Sequence, residues 1–357
     1  MSDRDPQDSR PSAAREFRRR IRYRGTHPRK FEEKYKELDP GRDPETVAKV
    51  IASGKTPAGT HRPILVGEIL EHLAPRPGER GADVTFGYGG HSEALLERLG
   101  PEGTLLALDV DPVQLPKTEQ RLRDLGFGES RLIVRRKNFA GLSSALAEIG
   151  WGDGVDVLLA DLGLSSMQID NPARGFSYKH DGPLDMRMNP ERGLSAADWL
   201  ARCKEEKLAR VLFDGGDEPY AESIAGAIVR ASARQSVTTT GQLRRLVESA
   251  LPTRLDEETR NQSVARVFQA IRVEVNGEFS ALDTFLATLP DCLRPGGRVA
   301  ILSFHSGEDR RVKHHFRDGF RSGFYREVAP DVIRPTPEEI RDNSRSAPAK
   351  LRWAIRA

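Results

Sequence analysis

Between His61 and Leu162 short apolar runs alternate with stretches of helical periodicity, and this rhythm restricts the fold more than any other feature of the chain. Ile64 to Leu73 reads as a helix that Pro75 and Pro77 stop. Gly81 to Phe86 reads as a strand, followed by a glycine-rich turn and a helix from about Ser92 to Leu99. Thr104 to Val110, Leu132 to Arg136 and Val155 to Leu162 read as further strands, with helices over Pro112 to Leu125 and Ala140 to Ile149. Strands joined through helices pair in parallel, so an α/β fold is expected, with a mostly parallel sheet covered by helices on both faces.

The rhythm stops at about Asn171 and resumes near Arg272. In between, Ala221 to Ala233 and Gly241 to Leu251 place apolar residues at helical spacing, and no run reads strongly as a strand. A helix at Phe279 to Cys292, a strand at Arg298 to Phe304 and a loosely alternating closing strand at Lys350 to Arg356 follow. Residues 171–272 are therefore expected to form an inserted helical domain within a sheet domain made of 56–170 and 273–357. Residues 1–55 read as an extension in which Arg15, Arg18, Arg19, Arg20, Arg22, Arg24, Arg29 and Lys30 cluster. It is either a solvated tail or a basic arm for RNA phosphates.

The net charge of +3 permits a nucleic-acid partner without requiring one. Two scattered cysteines, Cys203 and Cys292, make neither a disulfide framework nor a metal cluster, which points to a reducing, cytoplasmic setting. No apolar stretch is long enough to span a bilayer, and the Arg-containing start lacks the apolar segment of a secretory signal.

Chemistry concentrates where strands end. Asp83-Val-Thr-Phe-Gly-Tyr-Gly-Gly-His91 puts glycines between a first strand and a helix, where the backbone can approach a ligand. Asp109 ends the second strand about twenty residues later and can accept both hydroxyls of an adenosine ribose. Together these indicate a nucleoside-containing cofactor. The Gly-x-Gly-Gly-His spacing differs from the dinucleotide Gly-x-Gly-x-x-Gly, which disfavours a nicotinamide enzyme. Asp161, at the end of the fourth strand, can accept a hydrogen bond from a cytosine amine or from the cofactor, or simply cap its loop. In the loop from Asn171 to Met188, Phe176 or Tyr178 could stack on a flipped base and Arg174 or Arg187 could pair with phosphate, although packing suits any one of them better. His305, in Ser303-Phe-His-Ser306, could bind base or phosphate or cap a helix. No Cys/His spacing for zinc is present.

These motifs, in this order, resemble the RsmH (MraW) family of bacterial 16S ribosomal RNA cytosine-N4 methyltransferases. The resemblance runs from about His61 to the C-terminus and is carried most specifically by Asp181-Gly-Pro-Leu-Asp-Met-Arg-Met188, with Asp161-Leu-Gly-x-Ser-Ser-x-Gln168, Phe268-Gln-Ala-x-Arg272 and Val275-Asn276 beside it. It implies a class I S-adenosylmethionine-dependent methyltransferase sheet, Rossmann-like, with an inserted helical substrate-recognition domain. Gly89, Gly90, His91, Asp109, Phe139, Asp161 and Gln168 would bind S-adenosyl-L-methionine, Phe139 lying against adenine. Asp161 would be the catalytic residue, and Arg174, Phe176, Asp185, Arg187 and His305 would contact substrate. The implied partner is 16S ribosomal RNA in the small ribosomal subunit, with no metal, no membrane and a homodimer left open. The chain departs from the pattern at Val84, at Gln262-Ser-Val-Ala-Arg266 and at Gly307, and the extension is unusual. The changed segments are expected on the substrate side, which leaves open a paralogue acting on another RNA site. A methyltransferase for a small molecule or protein, and a non-catalytic RNA-binding assembly factor, are the readings from other classes.

Overall fold

A computed structural model describes residues 63–357. The sheet has seven strands: β1 (Arg80–Asp83), β2 (Thr104–Asp109), β3 (Leu132–Arg136), β4 (Val155–Asp161), β5 (Leu293–Ser303), β6 (Tyr325–Val328) and β7 (Lys350–Arg356). Their spatial order is β3-β2-β1-β4-β5-β7-β6. The first five are parallel, and β7 runs antiparallel between β5 and β6. The expected parallel sheet is present, with one short edge strand, β6, that the sequence reading does not contain. Its four residues Tyr-Arg-Glu-Val bury only Tyr325, too little pattern to signal a strand.

Period-two alternation sorts the strand side chains onto two faces. Leu106, Leu108, Leu158, Ala160, Val299 and Ile301 belong to one buried cluster, which also takes in α4 (Leu142–Glu148), α11 (Glu278–Cys292) and α12 (Ser306–Arg321). Leu105, Ala107, Val157, Leu159, Ala300 and Leu302 belong to another, covered by α1 (Val66–Leu73), α2 (Gly90–Leu99) and α3 (Gln114–Asp124). Strands buried on both sides explain the near-continuous apolar runs.

After β4 the chain leaves the sheet through α5 (Ser166–Asp170) and a long loop. It then forms α6 (Ala196–Arg202), α7 (Glu205–Gly216), α8 (Ala221–Ser232), α9 (Thr240–Ala250) and α10 (Glu257–Asn276). These elements share a third buried cluster, from Phe176 to Ile271. Gly277, at φ 60°, is the only residue between α10 and α11, so the helical layer leads straight back to the sheet.

Two departures from the family pattern lie inside the structure rather than on a substrate surface. Ser263 and Val264 are fully buried on α10, and the Ser263 hydroxyl donates to buried Glu218 at 3.0 Å. A Cβ at Gly307 would stand 2.5 Å from Phe279 Cζ, so a larger side chain would collide with that ring. The Arg311 guanidinium covers the other side of Phe279, 3.8 Å from its centroid. Gln262, on the same segment, is exposed.

The loop before α6 is anchored where Gly175, at φ 71°, brings its backbone against Pro183. A Cβ there would lie 2.2 Å from the Pro183 carbonyl oxygen, and backbone cannot yield as a flexible side chain can. Gly150 has a similar φ of 76° but nothing within 4 Å. Gly175→Ala should therefore cost roughly 2–4 kcal/mol in chemical denaturation, adding overlap to left-handed strain. Gly150→Ala should cost only about 1 kcal/mol. Equal losses would mean that the close approach is unimportant.

Candidate active site

In a doubly wound sheet ligands sit beyond the strand C-termini, where the direction of strand succession reverses. Here that point lies between β1 and β4. Asp83, Asp109 and Asp161 end β1, β2 and β4, and all three stand at this edge. A cavity of about 520 Å³ opens there, within the size range of small-molecule sites. All seven residues expected to hold the cofactor line it: Gly89, Gly90, His91, Asp109, Phe139, Asp161 and Gln168.

The glycines are forced by space. Gly89, at φ 70°, precedes α2, and a Cβ on it would come within 2.9 Å of Thr118 Cγ2. A Cβ on Gly90 would meet Pro63 Cγ at 2.4 Å. The turn is a cradle that side chains would fill. Asp109 Oδ2 accepts the Gly87 N–H at 2.8 Å and Oδ1 accepts the Asp111 N–H at 2.9 Å. Each oxygen keeps a further lone pair for a ribose hydroxyl. Burial raises the Asp109 pKa above its ordinary value. Phe139 stands edge-on to Phe285, with 5.7 Å between ring centroids, which fixes an apolar wall.

His91 is buried, and its Nε2 lies 2.9 Å from the Ile64 carbonyl oxygen, so Nε2 carries a hydrogen. Its Nδ1 lies 3.4 Å from Asp161 Oδ2. Burial pulls the imidazole pKa down, but contact with Asp161 outweighs it, and the net shift is upward. The Asp161 N–H is held by Thr85 Oγ1 at 2.6 Å. Thr85 Oγ1 also lies 3.3 Å from Asp83 Oδ1, and Asp83 takes the Ser92 hydroxyl at 2.6 Å. Asp161 is thus fixed by its backbone while its carboxylate faces the cavity with the His91 imidazole behind it.

Asp111 is the residue to which the sequence reading gave no role. Its carboxylate accepts the N–H groups of Val113 and Gln114, the Gln168 side-chain amide at 2.8 Å and Arg174 Nη1 at 2.9 Å. Its signal was present in the Asp109-x-Asp111 spacing. Gln168 closes a capping box with Ser165, so its carbonyl oxygen faces its own helix and its amide faces Asp111.

None of the five residues expected to contact substrate lines the cavity. Arg174 is spent on Asp111 and on the carbonyls of Arg187 and Met188, with its guanidinium 5.6 Å from the Phe176 ring. Phe176 is buried in the insert cluster. Asp185 and Arg187 pair with each other at 2.6 and 2.8 Å. His305 is buried beside Glu308, with Nε2 3.2 Å from Oε1 but off the line of a hydrogen bond. Arg174 and Phe176 pack the loop, their polar and apolar surfaces engaged within it. Arg272, Glu278 and Glu308 do line the cavity. Their helices lie far along the chain from the glycine motif; the signal for Arg272 was its place in Phe268-Gln-Ala-x-Arg272, to which no role was given.

Sheet order, glycine cradle and ribose-accepting carboxylate define a class I S-adenosylmethionine-dependent methyltransferase. Residues 58–357 match the model of the MraW methylase family, and the chain belongs to it. It is 50% identical over 343 residues to ribosomal RNA small subunit methyltransferase H 2 of Alkaliphilus metalliredigens, covering 95% of this chain and 97% of that protein. The corresponding methyltransferase H 1 of Lachnoclostridium phytofermentans is 49% identical, covering 95% and 93%. That of Agathobacter rectalis is 46% identical, covering 97% and 99%. Coverage of 95–97% leaves too few unmatched residues to omit the whole extension of residues 1–55, so these relatives share part of it. The expectation that the extension sets this chain apart is corrected accordingly; the extension itself lies outside the described residues.

Two measurements test the site. Asp109→Asn should weaken S-adenosylmethionine binding by about ten- to a hundredfold in calorimetry, because one ribose acceptor is lost from a charged group. The raised His91 pKa means that the folded state holds this proton more tightly than the unfolded chain. Its contribution to stability is fully present below about pH 6.5, the unfolded value, and is lost as pH rises through the higher folded value. The stability difference between wild type and His91→Asn should shrink over that window. A difference that grows with pH would contradict the imidazolium.

Proposed function

We propose that this enzyme transfers a methyl group to N4 of a cytidine in 16S ribosomal RNA, with the small ribosomal subunit as substrate and residues 171–272 as the part that receives it. The observation that supports this most is the placement of Asp161, at the mouth of the ribose-binding crevice and in the same cavity as residues of the insert. The names of the relatives, which specify small-subunit ribosomal RNA, and the resemblance to cytosine-N4 enzymes agree with it.

S-adenosylmethionine, when bound, supplies an already activated methyl group, so the chain must chiefly position the acceptor. A cytosine amine is a weak nucleophile because its lone pair is delocalised into the ring. Asp161 accepting one N4 hydrogen would concentrate that lone pair and steer it toward the methyl. His91 behind the carboxylate, with Nδ1 3.4 Å from Oδ2, orients Asp161 as an acceptor. The cytosine must leave its stack to reach the cavity. The arginine cluster of residues 1–55, outside the described residues, is suited to hold RNA phosphates around it.

Incubation with unmodified small subunits and labelled S-adenosylmethionine, then nucleoside mass spectrometry, should yield N4-methylcytidine. Asp161→Asn should cut turnover at least about a hundredfold, the scale of a lost transition-state contact, and change cofactor affinity less than about threefold. Equal losses in both would make Asp161 a cofactor residue instead.

A further inference from the structure

The cavity wall also holds three ionisable groups, Arg272, Glu278 and Glu308, with His305 buried beside Glu308. Arg272 donates from Nε and Nη2 to the two oxygens of Glu278, each at 2.8 Å. Glu308, 3% exposed, lies at the same wall, with His305 at 3.2 Å and with one oxygen accepting the Phe304 N–H at 2.9 Å. Burying such pairs is weak evidence for stability, since desolvation offsets most of the attraction. A rigid planar fork held at a cavity wall suits the recognition of a flat, hydrogen-bonding edge. One donor atom each of Glu278, His305 and Glu308 lies within 4.8 Å of the others, but the Arg272 guanidinium already supplies a cation to the two carboxylates.

We propose that Arg272 reads the N3/O2 edge of the target cytosine, with Glu278 as the residue that positions it; this rests on the cytidine substrate given above. Two N–H bonds of Arg272 go to Glu278. Nη1 has no hydrogen-bond partner among the described residues and is not sealed off, and Arg272 lines the cavity. The free edge of the guanidinium offers two parallel donors, and N3 and O2 of cytosine are two adjacent acceptors. Strand order supplies the direction. The ribose acceptor Asp109 ends β2, Asp161 ends β4, and Glu308 follows β5, the next strand along the same edge. Asp161 therefore stands between the cofactor end and the Arg272 wall. A cytosine gripped at N3 and O2 carries its amine next to N3, on the flank of the guanidinium, where Asp161 would accept an N4 hydrogen. Uracil presents N3–H to the same donors, a repulsive match, and carries no amine.

The test compares cytidine and uridine 5′-monophosphates binding to the enzyme loaded with S-adenosylhomocysteine, by saturation-transfer NMR, and then turnover on small subunits. Wild type should prefer the cytidine nucleotide about tenfold or more, the discrimination expected of one bidentate pair. Arg272→Lys, which keeps the charge but loses the fork, should abolish the preference and lower kcat/KM about ten- to a hundredfold, with cofactor affinity within twofold of wild type. The double variant Arg272→Met, Glu278→Gln removes both members of the bidentate pair and should behave likewise if it melts as a folded protein. Wild type without a preference, or Arg272→Lys retaining it, overturns the proposal. A preference for cytidine in an enzyme that makes no N4-methylcytidine on small subunits would support Arg272 as the reader and defeat only the ribosomal substrate.

Discussion

The carboxylate of Asp111 ties the molecule together. It is 1% exposed, yet it holds its ordinary charge or better. Burial pushes its pKa up, and the Gln168 amide, the Arg174 guanidinium and neighbouring backbone N–H groups pull it below the usual value. Those partners come from three places: the turn after β2, the helix after β4, and the loop leading into the insert. One side chain thus connects the turn after β2 to the helical layer. Removing one partner of such a buried pair leaves an uncompensated charge, which costs about 3–5 kcal/mol.

The cavity follows from that link. A parallel sheet supplies a crevice at its switch point, but an open crevice does not place an acceptor against a methyl donor. With Asp111 engaged, the loop at Met186–Met188 meets the end of α10, where Asn276 accepts the Met188 N–H at 2.7 Å and donates to the Met186 carbonyl at 2.8 Å. Met188, Arg272 and Asn276 then join Asp109, Phe139 and Asp161 in lining one cavity. Asp161 with His91, and Arg272 with Glu278, are each oriented before any ligand arrives, which is how a site concerned with positioning does its work.

Much of this was legible in the sequence because it is periodic or local. β3 and β7 were read at their observed limits, and β2 and β4 within one residue; β2 and β4, buried along most of their length, announce themselves as apolar runs. The glycine turn and Asp109 were legible because close backbone approach leaves few residue choices. Arg174 and Phe176 were harder. An arginine beside an aromatic in a polar loop reads equally as an RNA contact or as internal packing, and only the burial of Asp111 decides for packing. Arg272 and Glu278 come from the junction of α10 and α11, more than a hundred residues beyond Asp161 in sequence, so only the folded chain brings them to the cavity.

The most direct measurement is hydrogen exchange on Asp111→Asn, which keeps the shape of the side chain and removes its charge. If Asp111 joins the two layers, amides of residues 165–188 should lose protection in the variant while β4 and β5 keep theirs. Unchanged protection across residues 165–188 would contradict the link and leave the cavity to be explained by the sheet alone.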